Sequence, residues 1–234
     1  MNILITNDDG IQNIRIEKLA KIASRLGNVY VVAPDSQKSA VSHALTIRNS
    51  FSLKKVEFPV SVAAAYSVSG TPCDCVKTAV SCKLADHFDL VLSGINEGPN
   101  IGADTLYSGT VAAALEGAYL GIPSFAISMI GNNFTAIDEH LYQILADYKD
   151  KPVAPRGIWN LNFPDGDKHT LKGLKLTVPD KFSAVQEAYV MTEVSDNEWS
   201  INPAITFTQH FSKGSDLEAV NQGYISIEPL YLMV

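Results

Sequence analysis

The sequence reads as an α/β protein: a mostly parallel sheet with helices on both faces, plus a β-rich hairpin extension near the C-terminus. Over roughly the first 130 residues, short apolar runs alternate with segments of helical period. Those runs are apolar at consecutive positions, the pattern of strands covered on both faces, and such strands build parallel sheets. Beyond that point polar residues mix with aromatic and β-branched ones around a turn signal, so the last third is β-rich.

Ile3-Leu4-Ile5 is the first strand, ended by Asn7-Asp8-Asp9-Gly10. Ile16, Leu19, Ala20, Ala23 and Leu26 then fall on one helical face, and Gly27-Asn28 stops the helix. Val29-Tyr30-Val31-Val32-Ala33 is the next strand and completes a βαβ unit of about thirty residues. The pattern recurs as a helix over 72–84, with Pro72 early, and a strand over 90–93 that runs into a loop rich in glycine and asparagine. A helix over 110–120, stopped by Gly121, and a strand over 124–129 follow. Later come a helix over 141–148, a connector over 152–157, and strands over 159–163 and 174–178. The stretch 185–201 is a hairpin turning at Asp196-Asn197, and 225–227 is a last short strand. With no internal repeat or low-complexity linker, the expectation is one domain over 1–234, with its β-rich extension at about 180–222.

Composition narrows the function. Eighteen basic against 25 acidic side chains give a net charge of −7, which argues against a dedicated nucleic-acid binder. A small anionic substrate stays open, because one metal ion reverses the local field. No apolar run is long enough to cross a membrane, and no secretory signal is visible. Cys73, Cys75 and Cys82 read as reduced thiols of a cytoplasmic protein. Cys73-Asp74-Cys75 lacks a second pair at zinc spacing, and the histidines are scattered.

In an open parallel sheet, ligands sit beyond the carboxyl ends of the strands. Three polar clusters lie there: Asn7 to Gly10, Ala33 to Ser39, and Ser93 to Gly102. Two adjacent carboxylates repel unless a cation or donors compensate, and hard divalent cations take oxygen ligands of this kind. Asp8 and Asp9, with Ser39 and Asn96 as further oxygen donors, therefore suggest a metal; the alternative is that Asp9 merely caps the helix that follows. Tyr107-Ser108-Gly109-Thr110 precedes a small-residue helix, whose N-terminus offers free N–H groups to an anion; here too the alternative is a simple cap. Glycines at 94, 98 and 102 match neither G-x-G-x-x-G nor a Walker loop, and G-x-S-x-G is absent. Dinucleotide dehydrogenases, P-loop NTPases and α/β-hydrolases are thereby disfavoured, and 234 residues are too few for a two-domain sugar-nucleotide transferase.

These residues, in order, resemble the SurE (survival protein E) nucleotidases. The resemblance runs through Asn2 to Gly10, Val32-Ala33-Pro34 with Ser39, Gly70 to Val76, Asp89 to Asn96, Gly98, Asn100 and Gly102. It continues through Tyr107 to Val111, Glu116-Gly117, Asn160 to Pro164, Gly214-Ser215-Asp216 and Gly223 to Leu230. It implies a Rossmann-like core and one divalent cation per subunit, Mg²⁺, Mn²⁺ or similar, held by Asp8, Asp9, Ser39 and Asn96. It also implies catalysis by Asp8 and Asp9, and substrate binding by Asn100, Ser108, Gly109 and Thr110. The implied activity is hydrolysis of nucleoside 5′-monophosphates and of some 3′-monophosphates; a non-catalytic nucleotide or metal sensor is the alternative. The implied assembly is a homodimer or homotetramer that exchanges the hairpin and the C-terminal segment. Four positions depart from the family: Ala40 stands where glycine is usual, Asn13 and Arg15 where a small residue and glycine are usual, and Glu228 where threonine is common.

Overall fold

The computed structural model describes residues 1–151, 153–166, 170–208 and 210–231. Pro152, the head of the expected connector, lies outside them. At the centre is β1 (Asn2–Thr6), parallel to β2 (Asn28–Pro34) on one side and to β5 (Leu90–Glu97) on the other. Outward from β2 come β4 (Ala64–Val68), parallel, and β3 (Leu53–Lys55), antiparallel at the edge. Outward from β5 come β6 (Ser124–Met129) and β7 (Gly157–Phe163), both parallel. The far edge is β8 (Leu174–Leu176), joined through β11 (Ile225–Tyr231), which runs antiparallel to β7. Strand order thus reverses between β1 and β5, where the carboxyl ends of two neighbouring strands open a crevice.

Helices α1 (Ile14–Ala23) and α4 (Thr135–Tyr148) cover one face, while α2 (Pro72–Ser81) and α3 (Gly109–Tyr119) cover the other. Ile16, Leu19, Ala20 and Ala23, the stripe read from the sequence, are wholly buried against Ile3 and Ile5. Leu4 points to the opposite face, into a second cluster with Val32, Val76 and Val91. Both faces of β1 are therefore core, and Leu4→Ala would cost about 2–5 kcal/mol. Helix α2 starts in a capping box, in which the Thr71 hydroxyl accepts from the Asp74 N–H and Asp74 accepts from the Thr71 N–H.

Several elements differ from expectation. β5 does not end at Ser93 but runs on to Glu97, its register with β6 shifting between Gly94 and Asn96, so Asn96 belongs to a strand end. Helix α4 begins six residues early, at Thr135, because Ala136 and Ile137 extend the buried face of Leu141, Ile144 and Leu145. The extension is not β throughout. Its last part is helix α5 (Asp216–Asn221), capped by the Ser215 hydroxyl, which accepts from the Glu218 N–H. The hairpin turns at Asp196-Asn197 as expected but is longer: β9 (Val185–Ser195) and β10 (Glu198–Phe207) pair antiparallel, the second strand running six residues past Ile201. It forms a separate two-stranded ribbon with Tyr189, Met191, Val194, Ile201 and Ile205 each more than half exposed. A lone two-stranded ribbon is marginally stable in water.

Candidate active site

The crevice between β1 and β5 is built from three loops and one helix end. After β1 the Asn7 amide folds back on the turn: its Nδ2 donates to Gly10 O at 2.9 Å, and its Oδ1 accepts from the Gly10 N–H at 3.2 Å. Gly10 completes the turn at φ +95°, a conformation that suits glycine. This sets Asp8 and Asp9 side by side in the crevice. Asp8 is buried, and its Oδ1 accepts from the Thr110 hydroxyl at 2.6 Å. Asp9 accepts from the Glu97 N–H at 3.3 Å and from Gln37 Nε2 at 3.4 Å. Neither aspartate caps α1. That task falls to Asn13, whose Oδ1 accepts from the Arg15 N–H at 2.9 Å.

The second loop carries Ser39. It is clamped along its length: Lys38 N–H donates to Asp8 O at 2.7 Å, and the Ser42 hydroxyl donates to Leu106 O at 2.8 Å. His43 Nε2 lies 2.9 Å from Glu116 Oε2, and the Thr46 hydroxyl donates to Asp74 at 2.7 Å. Ala40, beside Ser39, sits at φ +55°, which explains why glycine is favoured there. At the end of β5, Asn96 Nδ2 donates to Gly98 O at 2.8 Å, which leaves its amide oxygen as the free acceptor. Asn100 is buried, its Nδ2 donating to Ser128 Oγ at 2.8 Å and its backbone oxygen accepting from Asn160 and Asn162.

Helix α3 points its N-terminus at Asp8. The Ser108 hydroxyl accepts from the Val111 N–H at 3.1 Å, so it does cap the helix, and its proton remains available to donate. Gly109 is the point of closest approach, where a Cβ would come within 3.0 Å of Asp8 Cβ. Thr110 is wholly buried, with its hydroxyl committed to Asp8.

Asp8, Ser39, Ala40, Asn96, Glu97, Asn100, Asp104, Tyr107 and Ser108 line one cleft of about 200 Å³. Asp9 stands at its edge, tied to the backbone of Glu97. Burial pushes the Asp8 carboxyl up to about 6, with the Asp9 charge adding to it and the Thr110 hydroxyl opposing. Burial likewise raises Asp9, against the Glu97 N–H and the charge of Arg15. Three carboxylates and no lysine or arginine line this cleft. Among the described residues no cluster of three or more His, Cys, Asp or Glu side chains is arranged to hold a metal, so a cation here would need neutral oxygens as well. Two carboxylates, the Ser39 hydroxyl and the Asn96 carbonyl are hard oxygen donors, whose chemistry suits a hard divalent ion rather than a soft one.

Gln37 and Glu97 lie in the polar clusters marked out by the sequence without a role of their own there, and Arg15 stood out only as a departure from the resembled family. None of the three thiols lines this cleft. Cys73 and Cys75 are buried and free, burial pushing Cys73 up to about 12, whereas Cys82 is exposed. Among the described residues no helix is long and apolar enough to cross a membrane.

Comparison with known proteins agrees with this architecture. The family described as survival protein SurE matches residues 3–185. The 5′-nucleotidase SurE of Clostridium botulinum strain Langeland is 37% identical over 240 residues, covering 99% of this chain and 93% of that protein. The Clostridium beijerinckii protein of the same name is 38% identical over 237 residues, covering 99% and 93%. The crystal structure of the SurE protein from Aquifex aeolicus superposes with a TM-score of 0.83 at 36% identity, covering 99% of this chain and 93% of that one.

Proposed function

The chain belongs to the survival protein SurE family, and from that membership we propose that it is a divalent-metal-dependent 5′-nucleotidase. It hydrolyses nucleoside 5′-monophosphates to nucleoside and phosphate, with 3′-monophosphates as further substrates. The observation that carries this reading is the meeting of Asp8 with the N-terminus of α3 in one cleft, with Asp9 at its edge. A phosphate entering it meets three carboxylates and no basic side chain, so its binding calls for a cation.

One divalent cation per subunit, Mg²⁺ or Mn²⁺, would be held by Asp8 and Asp9 with Ser39 and Asn96, and would supply Lewis-acid polarisation of the phosphate and a lowered pKa for water. The protein supplies the rest. One carboxylate of the pair accepts the proton of the attacking water, whose oxygen bonds to phosphorus as the bond to the ribose oxygen breaks in line, and the departing oxygen takes up a proton from solvent to leave as the nucleoside hydroxyl. The Ser108 hydroxyl and the N–H groups of Gly109 and Thr110 stabilise charge on the remaining phosphate oxygens. Thr110 also orients Asp8 through its hydroxyl. Asn100, fixed by Ser128, presents its amide edge to substrate in the same cleft. A covalent aspartyl-phosphate is the weaker mechanism, because a carboxylate committed to a cation is a poor nucleophile. The three free thiols suit a cytoplasmic setting. The apolar ribbon suits a homodimer or homotetramer.

The test is phosphate release from a panel of nucleotides with Mn²⁺ or Mg²⁺, paired with thermal melts of wild type and Asp9→Asn. Wild type should release phosphate and melt higher with Mn²⁺; the variant should fold but lose both. An equal Mn²⁺-induced shift in the two proteins overturns the assignment of Asp9 to the cation. Cation and nucleotide binding without phosphate release would leave a sensor rather than an enzyme.

A further inference from the structure

Arg15 is a buried cation at the rim of this site, only 3% exposed. It stands in the first turn of α1, where the helix dipole disfavours positive charge. Its Nη2 donates to Gly131 O at 3.0 Å and to Asn132 Oδ1 at 2.6 Å, and its guanidinium lies 5.5 Å from the Phe134 ring centroid. These contacts are with neutral groups. Nη1 is buried with no hydrogen-bond partner among the described residues. A guanidinium taken out of water and left partly unpaired is expensive unless a negative charge compensates it. The acidic groups at hand belong to the site: Glu97 Oε1 at 3.8 Å, and Asp9, which is tied to the backbone of Glu97 and feels the Arg15 charge. Nη1 is closed off from solvent and Arg15 is not among the residues lining the cleft, so it does not reach a ligand by contact. Its influence on the site is through its charge.

We propose that Arg15 is a built-in counter-charge that, through Asp9 and Glu97, sets the affinity of the Asp8–Asp9 site for its divalent cation, offsetting the Asp9 charge when the cation is absent and competing with the cation when it binds. The inference rests on the cation site proposed above. It assigns this chain weaker cation binding than the same site would have with a neutral residue at position 15, and a more stable cation-free state.

The experiment compares wild type, Arg15→Met and Arg15→Lys by calorimetric titration with Mn²⁺ and by melting in EDTA and in saturating Mn²⁺. Methionine preserves the packing on Phe134 without charge, and lysine preserves the charge. Arg15→Met should bind Mn²⁺ roughly tenfold more tightly, melt lower in EDTA, and show a larger Mn²⁺-induced rise; Arg15→Lys should bind like wild type. If Arg15→Met fails to fold, Arg15→Gln, which keeps a donor for Gly131, takes its place. A purely structural pin between α1 and the turn at 131–132 would lower both melts equally and leave Mn²⁺ affinity unchanged, which overturns the proposal. Wild type taking up no Mn²⁺ would overturn the cation site itself, and this inference with it.

Discussion

Replacing Glu228 by glutamine should stabilise the protein at neutral pH, although it removes a buried, hydrogen-bonded side chain. Glu228 is wholly buried on β11, its Oε1 accepting from Asn160 Nδ2 at 3.0 Å and its Oε2 from the Thr177 hydroxyl at 3.2 Å. Its carboxyl meets that of Asp216. Asp216 already accepts backbone N–H groups from Gly102 at 2.6 Å, Asp180 at 2.9 Å and Leu217 at 2.7 Å, all of which favour its charged form. The proton of the pair therefore sits on Glu228. Burial first, and the charge of Asp216 second, push Glu228 from 4.5 up to about 9. Because the folded value lies above the unfolded one, the stability this group contributes is complete below 4.5 and is lost as pH rises through about 9. The slope is at most about 1.4 kcal/mol per pH unit, so some 3 kcal/mol has gone by pH 7. Glutamine is neutral throughout, keeps an acceptor for Asn160 and offers an N–H to Asp216. It gives up the acceptor for Thr177, a loss of about 1 kcal/mol. The net gain at pH 7 is about 2 kcal/mol, or roughly 4–8 °C in Tm for a chain of this size. Urea or thermal unfolding of both proteins from pH 5 to 9 measures it, and other titrating groups cancel in the difference. Stability curves that run parallel across that range would refute the assignment of the proton to Glu228.

Ser108→Ala should cut turnover about 10²–10³-fold through the lost phosphate donor, and lower Tm by a few degrees through the lost cap, worth about 1 kcal/mol. Unchanged turnover with the same fall in Tm would leave the cap as its whole role. Thr110→Val removes a hydrogen bond to a charged group worth about 1.5–3 kcal/mol. The Asp8 carboxyl should then rise further above about 6, and pH titrations of Mn²⁺ affinity should show binding lost at a higher pH than in wild type. Ala40→Gly relieves a left-handed alanine at φ +55° and should raise stability by up to about 1 kcal/mol, read by melting. Light scattering at micromolar concentration should find more than the 25.3 kDa of one chain, and a monomer there would show that the ribbon needs no partner copy.

The central strands were legible because burial on both faces leaves unbroken apolar runs such as 90–92 and 125–127. β4 escaped because Ala64-Ala65-Tyr66-Ser67-Val68 is small, mixed and only partly buried, so no run forms. Helix α5 did carry a signal, serine followed three residues later by glutamate, but six residues are too short for a periodic stripe. In the site, residue types that imply chemistry announced themselves: the paired aspartates and the Ser-Gly-Thr turn before an alanine-rich helix. Contacts formed only by folding did not. Nothing in the sequence links Thr110 to an aspartate 102 positions away, or lays the backbone of Glu97 against Asp9.

The ribbon of β9 and β10 has a mechanical consequence. Ten paired positions at about 3.4 Å each carry its tip some 34 Å from its root. That root is bolted to the wall of the cleft: Ala184 N–H donates to Asp104, Ala103 N–H donates to Phe182 O, and Asp216 holds Gly102 and Asp180 together. The ribbon is thus a crank whose shaft is the backbone from Asn100 to Asp104. Ordering of the ribbon and ordering of this cleft wall are therefore linked through the hydrogen bonds at its root.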